Sequence, residues 1–322
     1  MNVGMVGHGM MGEWHSGVMA TAGAVPHTLV GRRPGPTSAF ALRHGYRRWT
    51  LDLAEVLADP EIDIIVLATP SAAHEEQAVR CLEAGKHTLV EIPIAMSLAG
   101  AERVVAAAER SGRVLGLSHP MRFAPHVMAL LERCRAGQER IRHIAGRFFI
   151  DRLENVGATG YRRSWTDNLL WHHLCHFVDL GLFLLDGSAI RQVQSHLGPC
   201  HPRTGTPMEC VILVETEDER SLLVHGSYHA AFRLYDHLVV TDRDSYATDI
   251  LAATCRSRAG TDATESELAN AGRILADFVA AVRAGRAPLV SGRSVLPAMA
   301  VLQSVQDGWD RRHGAGPIPG RP

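Results

Sequence analysis

Three histidines and one aspartate lie close together over residues 172–179, inside the stretch 161–186. His172, His176 and Asp179 follow one another at the i, i+4 and i+7 spacing that places side chains on one side of an α-helix. The adjacent His173 points about a quarter turn away from them. An imidazole titrates close to neutral pH, so this cluster could accept a hydroxyl proton during a dehydrogenation.

Two other interpretations of the cluster have to be weighed. Histidines at i and i+4 can share a zinc ion, with the aspartate as a further ligand. They can also be ordinary hydrogen-bonded side chains on an apolar helix. A redox cofactor bound elsewhere in the chain would favour acid–base chemistry, because such a cofactor needs no metal.

The N-terminus supplies the pattern of such a cofactor site. An apolar run passes directly into a GxGxxG turn, and helix-compatible residues follow. In a dinucleotide site Gly7 permits the tight turn, Gly9 lets the backbone approach a pyrophosphate, and Gly12 packs the helix against the strand. The N-terminus of the following helix would offer its N–H groups to the anion. The alternative is an ordinary glycine turn that binds no dinucleotide. The residues expected to contact the cofactor here are Gly7, Gly9, Met10, Met11 and Gly12. Because a dinucleotide cofactor needs no metal for its redox chemistry, we expect no metal site.

The end of the second strand predicts which dinucleotide binds. The strand around His27–Val30 runs into Arg32 and Arg33, and no Asp or Glu occurs between Glu13 and Asp52. An NAD site usually has an acidic residue there for the ribose 2′-hydroxyl, and an NADP site has arginine near the 2′-phosphate. The sequence therefore favours NADP, with NAD as the alternative if the two arginines are only solvated.

Strand and helix patterns alternate through this first part of the chain, which predicts a Rossmann-type, doubly wound parallel sheet. Ser71 and Ser97 are the expected N-caps of two of its helices, which end near Ala84 and Arg110. The expected strands are Glu61–Thr69, Lys86–Glu91 and Arg113–Ser118. Ligands bind beyond the carboxyl ends of such strands. The strand ends therefore place Thr69, Pro70, Ser71, Glu91, Ile92, Pro93 and His119 at the cofactor crevice.

The second part reads as an α+β domain with an open, mostly antiparallel sheet. Its expected strands are Ile141–Asp151, Ile190–His196, Met208–Thr216, Arg220–Tyr228 and His237–Asp242. The histidine stretch reads as a helix capped by Thr166 or Asp167, and Glu265–Ala284 and Val295–Arg312 as two more. We expect a dinucleotide-binding domain over 1–120, a substrate and oligomerisation domain over 121–313, and a frayed tail over 314–322.

The strand-end motifs resemble those of the Gfo/Idh/MocA family of NAD(P)-dependent oxidoreductases. The residues that carry the resemblance are the GxGxxG turn, Ala68-Thr69-Pro70 with His74, Ala84-Gly85-Lys86-His87, and Glu91-x-Pro93. The resemblance implies that His74, Glu91 and Pro93 line the cofactor site. Common members have lysine where this chain has Ile92, and Asp-x-x-x-His where it has His172 and His176. An isoleucine cannot transfer a proton, so His176 is the expected proton acceptor, oriented by Asp179, with His172 and His173 positioning the substrate.

A more specific run resembles those members that oxidise aromatic ring-cleavage semialdehydes with NADP. The run is Arg163-Ser164-Trp165-Thr166-Asp167 followed by Leu169-Leu170-Trp171-His172-His173, together with Gly198-Pro199-x-His201-Pro202. The resemblance implies a cyclic hemiacetal with two carboxylates, oxidised to a lactone. Arginine makes bidentate contacts with carboxylates. The expected substrate-binding residues are Arg122, Arg152, Arg162, Arg163, Trp165 and His119. A sugar or imine-like substrate, or an NADP-sensing protein without turnover, remains open.

Composition excludes other classes of function. The 322 residues have a formal net charge of −1, which offers no general field for nucleic acid or an anionic membrane. The six cysteines form no CxxC pair, which favours free thiols in a reducing compartment. Met1 leads directly into a strand, and no apolar run is long enough to span a bilayer. We expect a cytoplasmic protein, and the exposed sheet face indicates a homodimer or higher homo-oligomer.

Overall fold

The computed structural model describes residues 1–157, 160, 162, 164–165 and 168–313. The chain divides into two compact units. The first unit comprises Met1–Pro120, Val156–Arg163 and Leu268–Leu296, and the second comprises Met121–Asn155, Ser164–Glu267 and Pro297–Pro322. The division expected from the sequence, 1–120 against 121–313, leaves the two later segments out of the first unit.

The segment Leu268–Leu296 contacts an edge strand of the first unit's sheet. The Leu117 N–H donates to the Val290 carbonyl at 3.0 Å, and Gly116 forms an isolated bridge with Ser291. A Cβ on Gly116 would lie only 2.6 Å from the Phe278 ring, so the helix that carries Phe278 packs directly on this strand. A contact between positions so far apart in sequence gives no local periodic signal.

The first unit contains a six-stranded sheet of order β3-β2-β1-β4-β5-β6, with every pair parallel. The strands are β1 (Asn2–Val6), β2 (Val25–Val30), β3 (Arg48–Thr50), β4 (Ile64–Leu67), β5 (His87–Val90) and β6 (Leu115–Leu117). The helices between them are α1 (Met10–Val18), α2 (Pro34–Arg43), α3 (Leu53–Ala58), α4 (His74–Glu83) and α5 (Leu98–Ser111). The doubly wound parallel sheet expected from the sequence is confirmed.

Local chemistry explains where these elements begin. β4 is fully buried along its length, which is why it reads as an uninterrupted apolar run. Ser97 caps α5 as expected, because its hydroxyl accepts the Gly100 N–H. Ser71 differs from expectation: it opens a 3₁₀ turn, Ser71–Ala73, and α4 begins only at His74.

The second unit contains an eight-stranded sheet of order β14-β13-β12-β11-β7-β10-β9-β8. Only the β7–β10 pair is parallel among its described strand pairs, so the mostly antiparallel expectation is confirmed. Its elements are α6 (Pro125–Arg135), β7 (Ile141–Asp151), α7 (Cys175–Leu184), β8 (Ile190–Leu197), β9 (Glu209–Thr216), β10 (Ser221–Ser227), β11 (His229–Thr241), β12 (Ser245–Asp249), β13 (Thr254–Ser257) and β14 (Gly260–Ala263). The helix α8 (Glu267–Ala284) belongs to the first unit apart from its first residue, and α9 (Gly292–His313) begins in the first unit and continues in the second.

The histidine stretch does not begin as an α-helix. Leu169–Leu174 is a π-helical turn that passes directly into α7, and we call residues 169–184 the histidine helix. Asn168 caps it by accepting the Trp171 N–H at 3.0 Å, while the expected caps, Thr166 and Asp167, lie outside the described residues. π-turns are rare and occur often at functional sites. Because a π-helical turn is wider than an α-helical one, its side chains point in directions that differ from those predicted by the α-helical spacing.

Candidate active site

The glycine turn of the first unit has the form of a cradle for a dinucleotide. A Cβ on Gly7, whose φ is +99°, would lie 2.4 Å from the Ala68 carbonyl oxygen, and one on Gly12 would lie 2.5 Å from that of Gly7. Gly9 has nothing within 4 Å of its Cβ position. It is also the N-cap of α1 and has no side chain to satisfy the first N–H groups, which include those of Met10 and Met11. These features fit a pyrophosphate at the α1 N-terminus.

The loop after β2 carries the two arginines expected to select the cofactor. Arg33 is the N-cap residue of α2, and the Thr37 hydroxyl donates to its carbonyl oxygen at 2.6 Å. His8, from the glycine turn, places Nε2 3.3 Å from the same hydroxyl. Arg32, Arg33 and His8 therefore lie at one place in the first unit.

His74 joins the loops that follow β4 and β5. Its Nδ1 lies 2.7 Å from the Pro93 carbonyl oxygen and its Nε2 lies 2.9 Å from that of Thr69. Both oxygens only accept, so the imidazolium, with a proton on each nitrogen, is the form that satisfies both bonds. The ring thereby fixes the Thr69-Pro70 loop relative to the cis Ile92–Pro93 bond.

Glu91 lies buried beside these loops and is ionised. The His15 Nε2 lies 2.6 Å from its Oε1. Burial by itself would raise the pKa of Glu91, but the His15 hydrogen bond and charge, the Ser118 hydroxyl and the charge of His74 hold it below its usual range. Glu91 therefore orders the strand ends as an anion. Sequence reasoning missed His15, although it lies inside α1, three residues after the last glycine of the GxGxxG turn.

In the second unit, His173 is held by two protein partners. Its Nδ1 lies 2.6 Å from the Tyr228 hydroxyl, and its Nε2 lies 3.2 Å from Nη1 of Arg152. A guanidinium only donates, so Nε2 is the acceptor and the proton of this neutral imidazole is on Nδ1, which donates to Tyr228. The ring also stacks on Phe148 with centroids 4.0 Å apart. Sequence reasoning missed Tyr228, since 55 residues separate it from His173.

Arg152 connects this pair to the loop that precedes the histidine helix. Its Nη2 donates to Oδ1 of Asn155 at 2.7 Å, and the Asn155 amide donates to the Ser164 carbonyl at 2.7 Å. The guanidinium carbon lies 5.7 Å from the centre of the Tyr228 ring. Each of these described partners is uncharged, so the positive charge of Arg152 is not neutralised by them.

Arg122 and Asp179 form a buried, bidentate ion pair. Nε of Arg122 donates to Oδ2 of Asp179 at 2.7 Å, and Nη2 donates to Oδ1. The two residues are 3% and 1% exposed, and the guanidinium carbon lies 4.8 Å from the centre of the Phe183 ring. The sequence predicted that Arg122 binds substrate and that Asp179 orients His176. The structure shows in addition that the two residues pair with each other.

The other expected site residues are distributed as follows. His172 and His176 are half-buried on the histidine helix, and the His172 ring meets the His173 ring edge-on at 4.4 Å. The Trp165 ring centre lies 6.1 Å from that of Tyr228. In the first unit His119 is buried and Arg162 is exposed. Ile92 is also buried, and its side chain has no polar group. Arg163 lies outside the described residues. In the described part of the chain, no three His, Cys, Asp or Glu side chains converge as a metal site.

Family models match both parts of the chain. Residues 1–119 match an oxidoreductase family with an NAD-binding Rossmann fold, and residues 125–234 match the C-terminal region of bacterial oxidoreductases. A 4-carboxy-2-hydroxymuconate-6-semialdehyde dehydrogenase of Sphingobium sp. is 31% identical over 95% of this chain and 98% of its own length. The chain belongs to the Gfo/Idh/MocA oxidoreductase family. It is an NAD(P)-dependent oxidoreductase acting on a CH–OH group.

Further relatives of this Gfo/Idh/MocA protein act on other compounds. A 1,5-anhydro-D-fructose reductase of Ensifer adhaerens is 31% identical over 42% of this chain and 41% of its own length. A levoglucosan dehydrogenase, solved with NADH and levoglucosan, has a TM-score of 0.85 at 17% identity over 97% of both chains. The latter shows the fold alone. None of the described helices is both long and apolar enough to cross a membrane.

Proposed function

We propose that this chain is an NADP-dependent dehydrogenase that oxidises the cyclic hemiacetal of an aromatic ring-cleavage semialdehyde to a lactone. The substrate would be of the 4-carboxy-2-hydroxymuconate-6-semialdehyde type and the product of the 2-pyrone-4,6-dicarboxylate type. The observation that carries the proposal is the similarity to the Sphingobium dehydrogenase over 95% of this chain.

The chemistry of such a substrate defines what the protein must supply. Closure of the semialdehyde by its own enol hydroxyl gives a ring in which one carbon bears both a hydrogen and a hydroxyl group. Oxidation removes a hydride from that carbon and a proton from its hydroxyl, which leaves the lactone carbonyl. NADP, when bound, supplies the hydride acceptor. The side chains supply the proton acceptor and hold the two carboxylates.

His176 is the proton acceptor in this proposal. Both nitrogens of His173 are already hydrogen-bonded, to Tyr228 and Arg152, so His173 serves to position its neighbours. His176 lies half-buried on α7 and is an imidazole, whereas Ile92 has no group that could take a proton. His172, whose ring contacts that of His173, would position the hemiacetal.

Arg152 is the preferred ligand for a substrate carboxylate. Its described partners are uncharged, so an incoming carboxylate would gain a full charge–charge interaction. Arg122 is less suited, since both of its bonds to Asp179 would have to break first. Arg162, Arg163 and Trp165, from the segment before the histidine helix, complete the proposed substrate-binding set with His119.

The cofactor would be NADP because the loop after β2 offers two arginines and no carboxylate. Gly7, Gly9 and Gly12 would cradle the pyrophosphate, with the backbone at Met10 and Met11. The strand ends fixed by His74 and Glu91 would complete the cofactor crevice, through Thr69, Pro70, Ser71, Ile92 and Pro93.

We also propose that the second unit forms a homodimer through its sheet. Leu213, Leu223, Ala145 and Leu238 pair in one row across four strands and are half-buried. They lie on the face opposite Gly146, where Phe177 packs. A continuous apolar row on an outer sheet face is typical of self-association.

A sugar or imine-like substrate is the second candidate, favoured by the similarity to the 1,5-anhydro-D-fructose reductase. One assay separates the candidates: the purified protein receives NADP with the ring-cleavage product of protocatechuate, or with levoglucosan or inositol. We expect NADPH and the pyrone only with the first substrate. NADPH formation only with a sugar would support the second candidate. Cofactor binding without turnover of any substrate would indicate a sensor and contradict both.

A further inference from the structure

We propose that His8 is a third cation of the site for the NADP 2′-phosphate, and that it makes NADP affinity, but not NAD affinity, fall as pH rises. The inference rests on the proposed preference for NADP. The proposed site adds His8, from inside the GxGxxG turn, to the two arginines of the loop after β2. The charge of the arginines does not change with pH, whereas His8 would take up a proton when the phosphate binds.

A hydrogen-bond chain places His8 at that loop. The Thr37 hydroxyl donates its only proton to the Arg33 carbonyl, at 2.6 Å. It can therefore only accept from His8, whose Nε2 lies 3.3 Å away and carries the proton of this bond. The imidazole also contacts the Phe40 ring, with centroids 5.7 Å apart. His8 thus stays half-buried beside Arg33, at the N-terminus of α2.

The electrostatics around His8 are one-sided. Burial lowers its pKa; a hydrogen bond to its own backbone opposes this, and the charges of Arg33 and Arg32 lower the pKa further. The positive end of the α2 dipole adds to the same field. Without a phosphate the ring is therefore neutral near pH 7. A phosphate dianion bound by the arginines would reverse the sign of this field and favour the imidazolium.

The charges that shift the pKa of His8 come from Arg33 and Arg32. No Asp or Glu occurs between residues 13 and 52. Glu13, on α1, already accepts from Arg43 and lies 3.0 Å from Nε2 of His44. An anion that arrives at His8 is therefore attracted by the positive charges of Arg33 and Arg32, which the uncharged 2′-hydroxyl of NAD cannot use.

Linkage gives the sign of the pH effect. Binding that raises the pKa of His8 takes up a proton, so the affinity is highest below the pKa of the free ring and is lost as pH rises through the pKa of the complex. The 2′-phosphate itself ionises with a pKa of about 6, so the effect has to be measured above about pH 7. NAD binding takes up no such proton.

The test is direct binding, measured by calorimetry with 2′,5′-ADP and 5′-AMP and by fluorescence with NADPH and NADH. The variants are His8→Gln, which keeps a donor without a titrating ring, and His44→Gln as a matched histidine control. We expect His8→Gln to weaken 2′,5′-ADP binding roughly 5- to 20-fold near neutral pH, the range of one charge–charge interaction at a half-exposed site. 5′-AMP and NADH binding should not change.

Proton uptake provides a second readout. Calorimetry in buffers of different ionisation enthalpy should show uptake with 2′,5′-ADP in the wild type and in His44→Gln, and none in His8→Gln. A wild type that binds NADPH and NADH equally would contradict the NADP preference itself. A clear NADPH preference that His8→Gln leaves intact, with unchanged proton uptake, would overturn the role of His8 alone.

Discussion

The buried pair of Arg122 and Asp179 gives the sharpest stability prediction. Asp179→Asn keeps the shape of the side chain but removes the negative charge that pairs with the Arg122 guanidinium, which is 3% exposed. Removal of one partner from a buried ion pair costs about 3–5 kcal/mol. Replacement of both partners, by Arg122→Met with Asp179→Leu, removes the buried charge and should cost much less than that.

Urea unfolding followed by fluorescence and circular dichroism measures these differences, provided that both probes give the same transition. Glu83→Gln is the matched control, because its partner Arg110 and Glu83 itself are both exposed, with side chains 64% and 57% accessible. That change should cost less than about 1 kcal/mol. The reasoning is refuted if Asp179→Asn costs no more than the control, or if the double variant is less stable than Asp179→Asn.

Three other changes test separate parts of the structure. Tyr228→Phe removes the acceptor of the His173 Nδ1–H; it should destabilise the protein by about 1–2 kcal/mol in urea and lower kcat more than it raises KM, and unchanged kcat would contradict the positioning role. Gly12→Ala places a Cβ 2.5 Å from the Gly7 carbonyl oxygen, so NADPH binding by fluorescence should be lost, and retained affinity would contradict the cradle. Burial and then the charge of His126 lower the pKa of His237 to about 3, below its unfolded value of about 6.5, so the unfolded state binds more protons and stability decreases as the pH is lowered through that window. From about pH 6.5 to about pH 5 the loss is about 2 kcal/mol; His237→Asn should flatten the pH profile of unfolding, and an unchanged slope would contradict a neutral His237.

The sequence predicted the first sheet well because its strands are buried on both faces and the glycine motif marks its start. The region between residues 34 and 58 was missed for local reasons. Pro34-Gly35-Pro36 reads as a loop, although proline at the start of a helix is compatible with α2. β3 is only three residues long, too short for a periodic signal.

The candidate site shows the limit of spacing arguments. The pattern of His172, His176 and Asp179 assumes an α-helix, but the π-turn wraps its first residues differently. The partners of the cluster are remote in sequence: 57 residues separate Arg122 from Asp179, and the pairing depends on how α7 packs in the second unit. Periodicity identifies the element that carries the chemistry, whereas the partner of each side chain is set by tertiary packing.

The most direct test of the proposed mechanism is the rate of hydride transfer in His176→Ala, measured by stopped-flow formation of NADPH from the ring-cleavage semialdehyde. Loss of a general base should slow this step at least about 100-fold, while NADPH binding stays as in the wild type. His172→Ala serves as a neighbouring control and should impair KM more than the transfer rate. Hydride transfer in His176→Ala within about threefold of the wild-type rate would contradict His176 as the proton acceptor.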